Sequence, residues 1–249
     1  MIILKSQEEI EKMCRACRIV GSTLAFLRDK IQPGLTTRQI DQFADEYIRS
    51  ADAIPAFKGY RGYPATICAS VNSEVIHGIP SDRILEEGDI LGVDLGAYKD
   101  GFYGDAAYTF PLGRISSKAE RLLKVAEEAL YKGIQKAIQG NRVSDISHSI
   151  QRHAENNGYS VVRAFVGHGI GRDLHEDPQI PNFGPPNRGP RLKAGMTLAI
   201  EPMVNEGGFE VVIMDDGWTA VTMDGGLSAH FEHTILVTSS EPKILTEMN

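Results

Sequence analysis

Two apolar strand patterns meet across Asp100-Gly101, and each carries an aspartate where the pattern calls for an apolar residue. Ile90–Tyr98 and Phe102–Phe110 read as β-strands. Asp-Gly between two such runs is a strong signal for a two-residue hairpin. With those residues as the turn, Lys99 faces Phe102 and Asp94 faces Ala107. Asp105 lies two residues from Ala107, so both carboxylates share one face of the sheet. Any loop of even length keeps this relation, and an odd one separates them. The two Cα atoms then lie within about 8 Å of one another. Burying a charge in an apolar strand is costly unless it is paired or metal-bound. Two like charges this close need a cation between them, or one must hold a proton.

Other residues extend the set. Glu201 ends the apolar run Thr197–Ile200 and precedes Pro202, and Glu232 interrupts the run Ala229–Val237. His168 sits between glycines in Gly167-His168-Gly169-Ile170-Gly171, just after an apolar strand. Glycines there permit close backbone approach to a bound group. The spacing is not a dinucleotide fingerprint, and His175-Glu176 lacks the second histidine of the zinc-protease helix motif. Four carboxylates and one imidazole form a hard, oxygen-rich donor set. It suits Mn, Fe(II), Co or Zn in a paired site better than a single structural zinc. Paired metals polarise a carbonyl and generate hydroxide at neutral pH, so hydrolysis is the expected reaction class.

The order of elements predicts an α+β fold of two similar halves. Ser6 and Glu9 form a capping box for a helix to about Lys30, which Pro33-Gly34 stops. A second helix spans about Arg38 to Arg49, followed by strands at Thr66–Val71 and the hairpin. Then the order repeats. Ser117 and Glu120 suggest a capping box for a helix to about Gln139, and a further helix runs from Ser144 to Asn157-Gly158. Strands follow near Tyr159–Val166, Thr197–Val204, Glu210–Met214, Trp218–Val221 and Phe231–Thr238. The halves divide near Arg114, as about 1–114 and 115–249 of one catalytic domain. Asp177–Gly195, rich in proline and glycine, reads as an ordered irregular loop.

Composition narrows the class. Acidic residues outnumber basic ones 33 to 26, a formal charge of −7, and no basic run points to nucleic acid or an anionic membrane. No stretch approaches the ~20 apolar residues that span a bilayer. The N-terminal apolar run is too short for a signal-peptide core. Three cysteines argue against a disulfide framework, so the cytoplasm is the expected location. Cys14-Arg-Ala-Cys17 lacks a second ligand pair and reads as helix packing.

Four further stretches complete a resemblance: Gly59–Pro64, Val71–Pro80, Gly167–Gly171 and Ser228–Thr234. In register with Asp94, Asp105 and Glu201, they resemble the pita-bread metallopeptidases, and within them the type I methionine aminopeptidases, over about Ser6 to Val237. The resemblance implies two pseudo-symmetric halves, each with helices packed on an antiparallel sheet. It implies two divalent ions (Co, Mn, Fe(II) or Zn). Asp94 would bind one metal through both oxygens, Asp105 and Glu232 would bridge, and His168 and Glu201 would complete the other sphere. Glu201 would also shuttle protons. His175 would stabilise the tetrahedral oxyanion, and His77 would contact the scissile amide nitrogen. Phe57, Tyr60, Tyr63, Cys68, Leu174 and Trp218 would line the methionine pocket, with a flexible thioether packing near aromatic rings.

The implied activity is hydrolysis of the N-terminal methionine of nascent polypeptides with a small second residue. The ribosome is a further partner implied by that task, and a monomer is the implied state. Ile2 is large, so the chain's own Met1 is expected to be retained. His230 stands where glutamine is expected. The chain shows neither a zinc-binding N-terminal extension nor the large type II insertion, which points to a bacterial-type enzyme. The rivals are a Xaa-Pro aminopeptidase of the same fold, which usually carries an extra N-terminal domain, and a pita-bread binding module without metals, which typically lacks some ligands. A phosphoesterase would need a basic clamp; Arg172 stands without a cluster around it.

Overall fold

The computed structural model describes residues 2–248, so the expectation for Met1 lies outside the described residues. Helix α1 (Gln7–Lys30) opens with the Ser6–Glu9 capping box, and α2 (Thr37–Ser50) opens with a second box between Thr36 and Gln39. Both pack against a four-stranded antiparallel sheet. Its centre is the strand Ile90–Lys99, with Ile54–Pro55 and Ile67–Val71 along one edge and Phe102–Pro111 along the other. The turn residues Asp100 and Gly101 both have positive φ, 53° and 86°. That conformation matches the twist of a two-residue hairpin. The register follows: Lys99 opposite Phe102, Asp94 opposite Ala107, Gly96 opposite Asp105.

The alternation of the sheet then separates its two chemistries. Leu91, Val93, Leu95 and Ala97 point into the core formed with Val20, Leu24, Leu27, Ile40 and Ile48 of the helices. Each large side chain buried there contributes about 1.5–3 kcal/mol. Gly92, Asp94 and Gly96 face the other way. Gly104 allows α1 to lie close on the hairpin, since a Cβ there would stand 2.8 Å from the Cys17 backbone. Cys17 is fully buried at that contact, the packing role expected for it, and Cys14 is half-buried.

The second half repeats the plan. Helices α3 (Ser117–Ile134) and α4 (Val143–Asn156) share a core with Leu198, Ile200 and Ile235 of a five-stranded antiparallel sheet. Its order is Lys243–Ile244, His233–Leu236, Thr197–Ile200, Val166–Gly169, Glu176–Pro181. Two small three-stranded sheets close the molecule. In one of them Glu74–Ile76 of the first half pairs with Ala220–Thr222 of the second.

Four expectations need correction. The cap of α3 is Ser116, whose side chain accepts from the Ala119 N–H, and alanine cannot return the bond, so there is no box. The helix also stops at Ile134 rather than Gln139. Lys136 and Ala137 donate three residues back, to Gly133 and Ile134, in tightened turns. Glu176–Pro181, expected as loop, is a strand; it lies at the sheet edge, where proline is tolerated. Finally, the long strands read at Tyr159–Val166, Thr197–Val204 and Phe231–Thr238 are interrupted. Ser160–Val161 and Val166–Gly169 belong to different sheets, and the breaks at Glu201-Pro202 and Phe231-Glu232 fall at acidic residues aimed into the site.

Candidate metal centre

The two sheets are stitched together beside the hairpin. The Glu232 N–H donates to the Ala107 carbonyl at 2.9 Å. Thr234 Oγ1 accepts from the Asp105 N–H at 3.2 Å and donates to the Asp105 carbonyl at 2.7 Å. Thr109 Oγ1 makes a similar pair with the His230 backbone. These bonds seat Asp105 and Glu232 against each other across a chain separation of more than a hundred residues. Glu201 follows its strand into a break before Pro202, and its carbonyl accepts from Asn182 at 3.0 Å.

Asp105, His168 and Glu232 offer ligand atoms that all lie within 4.8 Å of one another. His168 Nε2 is 3.5 Å from a Glu201 oxygen and 4.0 Å from Asp105. Its other nitrogen, Nδ1, is 2.9 Å from the Gly169 carbonyl. A carbonyl only accepts, so Nδ1 carries the proton and Nε2 presents a lone pair to the cluster. Burial and then the neighbouring His175 push His168 down to about 3, so it is neutral, as a metal ligand must be. Asp94 lines the same cavity outside that tightest grouping.

The carboxylates are badly placed for a site without a cation. Burial pushes Asp94 up to about 7. Burial, then Glu232 and Asp94, raises Asp105 well above the carboxylate range; Glu201 and Glu232 rise for the same kinds of reason. Asp94 Oδ1, Asp105 Oδ1 and Glu232 Oε1 are buried without any hydrogen-bond partner. Orphaned buried acceptors of one charge, gathered round a neutral imidazole, fit a divalent cation.

Every site residue expected from the sequence lines one cavity of about 280 Å³. The metal-ligating candidates Asp94, Asp105, His168, Glu201 and Glu232 form its polar end. Phe57, Tyr60, Tyr63, Cys68, Leu174 and Trp218 form an apolar pocket beside it, with His77 and His175 between. Tyr63 and Trp218 meet edge to face at 5.1 Å. His77 has φ 60°, a strained value, and at its neighbour Gly78 a Cβ would lie 2.4 Å from the Ala69 carbonyl oxygen. Burial, followed by the nearby His175, lowers His77 to about 4. His175 packs on His168 with ring centroids 4.2 Å apart, and burial and Arg61 lower it.

The structure adds lining residues to which the sequence assigned no role: Arg61, Ile76, Ala164, Phe165 and Val166. Phe165 meets the His77 ring edge to face at 5.6 Å. Its only sequence signal was its place two residues before Gly167. His230, flagged for its unusual identity, places a buried, unpartnered Nε2 4.0 Å from Glu201.

Residues 11–239 match the model of metallopeptidase family M24, and the chain belongs to that family. It is thus one of a family of metal-dependent peptidases, and the carboxylate cluster is where its residues fit a divalent ion. Within that family its similarity is to methionine aminopeptidases. It is 54% identical over 246 residues to a methionine aminopeptidase of Clostridium perfringens, covering 99% of both chains. It is also 54% identical to methionine aminopeptidase 1 of Bacillus subtilis, covering 100% of both. The crystal structure of a methionine aminopeptidase from Thermotoga maritima superposes with a TM-score of 0.98 at 49% identity, covering 99% of this chain and 100% of that one. A prolidase from Pyrococcus horikoshii shares the fold, with a TM-score of 0.82 at 24% identity, and the match spans only 65% of its chain. The pita-bread α+β fold is therefore shown. Among the described residues, no helix is long and apolar enough to cross a membrane.

Proposed function

We propose that this chain is a methionine aminopeptidase that hydrolyses the first peptide bond of nascent polypeptides whose second residue is small. The observation that carries the reading is one cavity in which a cation-demanding carboxylate cluster shares its walls with the aromatic and apolar side chains that suit a thioether. Near-complete alignment with methionine aminopeptidases supports the same substrate. The catalytic unit is the whole of residues 1–249.

Two divalent ions are proposed, which Asp94, Asp105, His168, Glu201 and Glu232 would hold. When bound, they supply Lewis-acid polarisation of the scissile carbonyl and an activated water. The chain's own residues do the rest. The pocket of Phe57, Tyr60, Tyr63, Cys68, Leu174 and Trp218 holds the methionine side chain and excludes water from it. His77 contacts the scissile amide nitrogen. His175 donates a hydrogen bond to the oxygen on which negative charge develops. A Glu201 carboxylate oxygen takes a proton from the attacking water and returns it to the departing amine. The enzyme is proposed to work in the cytoplasm, as a monomer, with newly made chains at the ribosome as its source of substrate.

The test is cleavage of Met-Ala-Ser by metal-stripped protein with Mn, Fe(II), Co or Zn restored, alongside Met-Ile-Ser and Ala-Pro peptides. Metal-dependent release of methionine from Met-Ala-Ser alone is expected. Cleavage of Ala-Pro instead moves the chain to the Xaa-Pro enzymes. No cleavage by folded, metal-loaded protein moves it to a binding module.

A further inference from the structure

Tyr60 belongs to the pocket wall, yet its hydroxyl lies 2.9 Å from Nδ1 of His175. The two rings stack, with centroids 5.3 Å apart and planes 19° from parallel. Tyr60 is carried on a tight turn closed by a backbone hydrogen bond. Gly59 and Gly62 have φ of 86° and 90°, Arg61 sits between them at 51°, and the Gly59 N–H donates to the Tyr63 carbonyl at 2.8 Å. The Arg61 guanidinium lies 5.3 Å from the Tyr60 ring centroid. A neutral imidazole ring carries one N–H. Which nitrogen holds it is set by the bond the other nitrogen makes.

An imidazole nitrogen accepts better than a phenol oxygen, and a phenol donates better than a neutral imidazole N–H. We infer that Tyr60 is a positioning residue for His175: its hydroxyl donates to Nδ1, fixes the Nε2–H tautomer and orients that N–H for the substrate's carbonyl oxygen. The functional half of this inference rests on the aminopeptidase reading. One side chain both walls the methionine pocket and holds the oxyanion donor, so seating of the substrate side chain and stabilisation of the reacting centre share a common support.

The test pairs a structural with a kinetic measurement on wild type and Tyr60→Phe. Tyr60→Phe removes the hydroxyl and keeps the ring. Histidine ring-nitrogen NMR of the metal-free protein should place the His175 proton on Nε2 in the wild type and show mixed tautomers in the variant. In metal-loaded enzyme with Met-Ala-Ser, kcat should fall roughly five- to tenfold, the scale of one lost hydrogen bond, with KM within about twofold. In a His175→Ala background the same change should have no further effect on kcat. A wild-type proton on Nδ1, a tautomer unchanged in the variant, or a loss confined to KM overturns the inference. A wild type that cleaves nothing overturns the aminopeptidase reading instead, and the NMR still decides the role of Tyr60.

Discussion

Thr234 binds Asp105 twice through the backbone, accepting from its N–H at 3.2 Å and donating to its carbonyl at 2.7 Å. The threonine is fully buried. This one hydroxyl joins the hairpin of the first half to the sheet of the second at a candidate bridging ligand. Replacing it with valine keeps the shape and leaves a backbone donor without its partner. The expected loss is about 1–3 kcal/mol in denaturant unfolding of the metal-free protein. Weaker metal retention should accompany it. Unchanged stability would mean that the seam is held by the Glu232–Ala107 and Thr109–His230 bonds and packing.

The carboxylate cluster makes metal-free stability depend on pH. Asp94 is raised to about 7 by burial, and Asp105, Glu201 and Glu232 are raised well above the usual carboxylate range by burial and by neighbouring carboxylates. For an acid raised in the folded state, the folded protein binds more protons than the unfolded one, so stability falls as pH rises through the folded value. The buried histidines act oppositely. His77, His168 and His230 are depressed to about 4, 3 and 3, chiefly by burial, so their contribution is lost as pH falls below about 6.5. Between pH ~6.5 and ~8 only the carboxylates act. Thermal melts in chelator should therefore show falling stability over that window, and added Mn should raise stability more at its upper end. A flat or rising metal-free profile would refute the cluster's charge state.

Asp105→Asn separates stability from function. The change keeps the volume and removes one of the crowded charges. In chelator, the variant should be more stable than wild type by about 1 kcal/mol or more, since buried like charges are costly. It should also fail to retain metal at stoichiometric loading and lose at least roughly a hundredfold in Met-Ala-Ser cleavage. Metal analysis and unfolding on the same samples decide the matter. Normal turnover with full metal content would remove Asp105 from the ligand set.

How legible this site was depended on how local its causes are. The hairpin could be read to the residue because Asp100-Gly101 dictates its own turn, and the two-residue period then places Asp94 and Asp105 on one face. The box at Ser6–Glu9 is equally local, and α1 begins where it indicates. At α3 two adjacent serines competed, and Ser116 took the cap although only Ser117 is followed by a glutamate three residues on. The strand Glu176–Pro181 was hidden by its prolines, because an edge position is a property of the sheet rather than of the segment. Arg61 left only its place within Gly59–Pro64, Phe165 only its place before Gly167, and the Thr234–Asp105 bonds no local trace at all. They are meetings of distant segments, fixed only once both halves have folded.

His175 offers the sharpest distinction between binding the metals and using them. It lines the cavity beside the cluster, packs against His168 at a centroid distance of 4.2 Å, and takes a hydrogen bond at Nδ1 from Tyr60 in the arrangement inferred above. It belongs to neither the tight ligand grouping nor the orphaned acceptors. A donor aimed at developing oxyanion charge acts mainly in the transition state, so its removal should lower kcat and kcat/KM together. His175→Ala should reduce turnover of Met-Ala-Ser by roughly 10²–10³, the range for loss of one such donor, with metal content near that of wild type. The cavity left beside His168 is the competing explanation, because a loosened ligand would also lower activity. His175→Asn tests it by keeping a side-chain donor in a smaller volume. Partial recovery of kcat over alanine, at equal metal content, is expected if hydrogen-bond donation is the role. Parallel loss of metal and turnover in both variants would instead make His175 a packing support for His168.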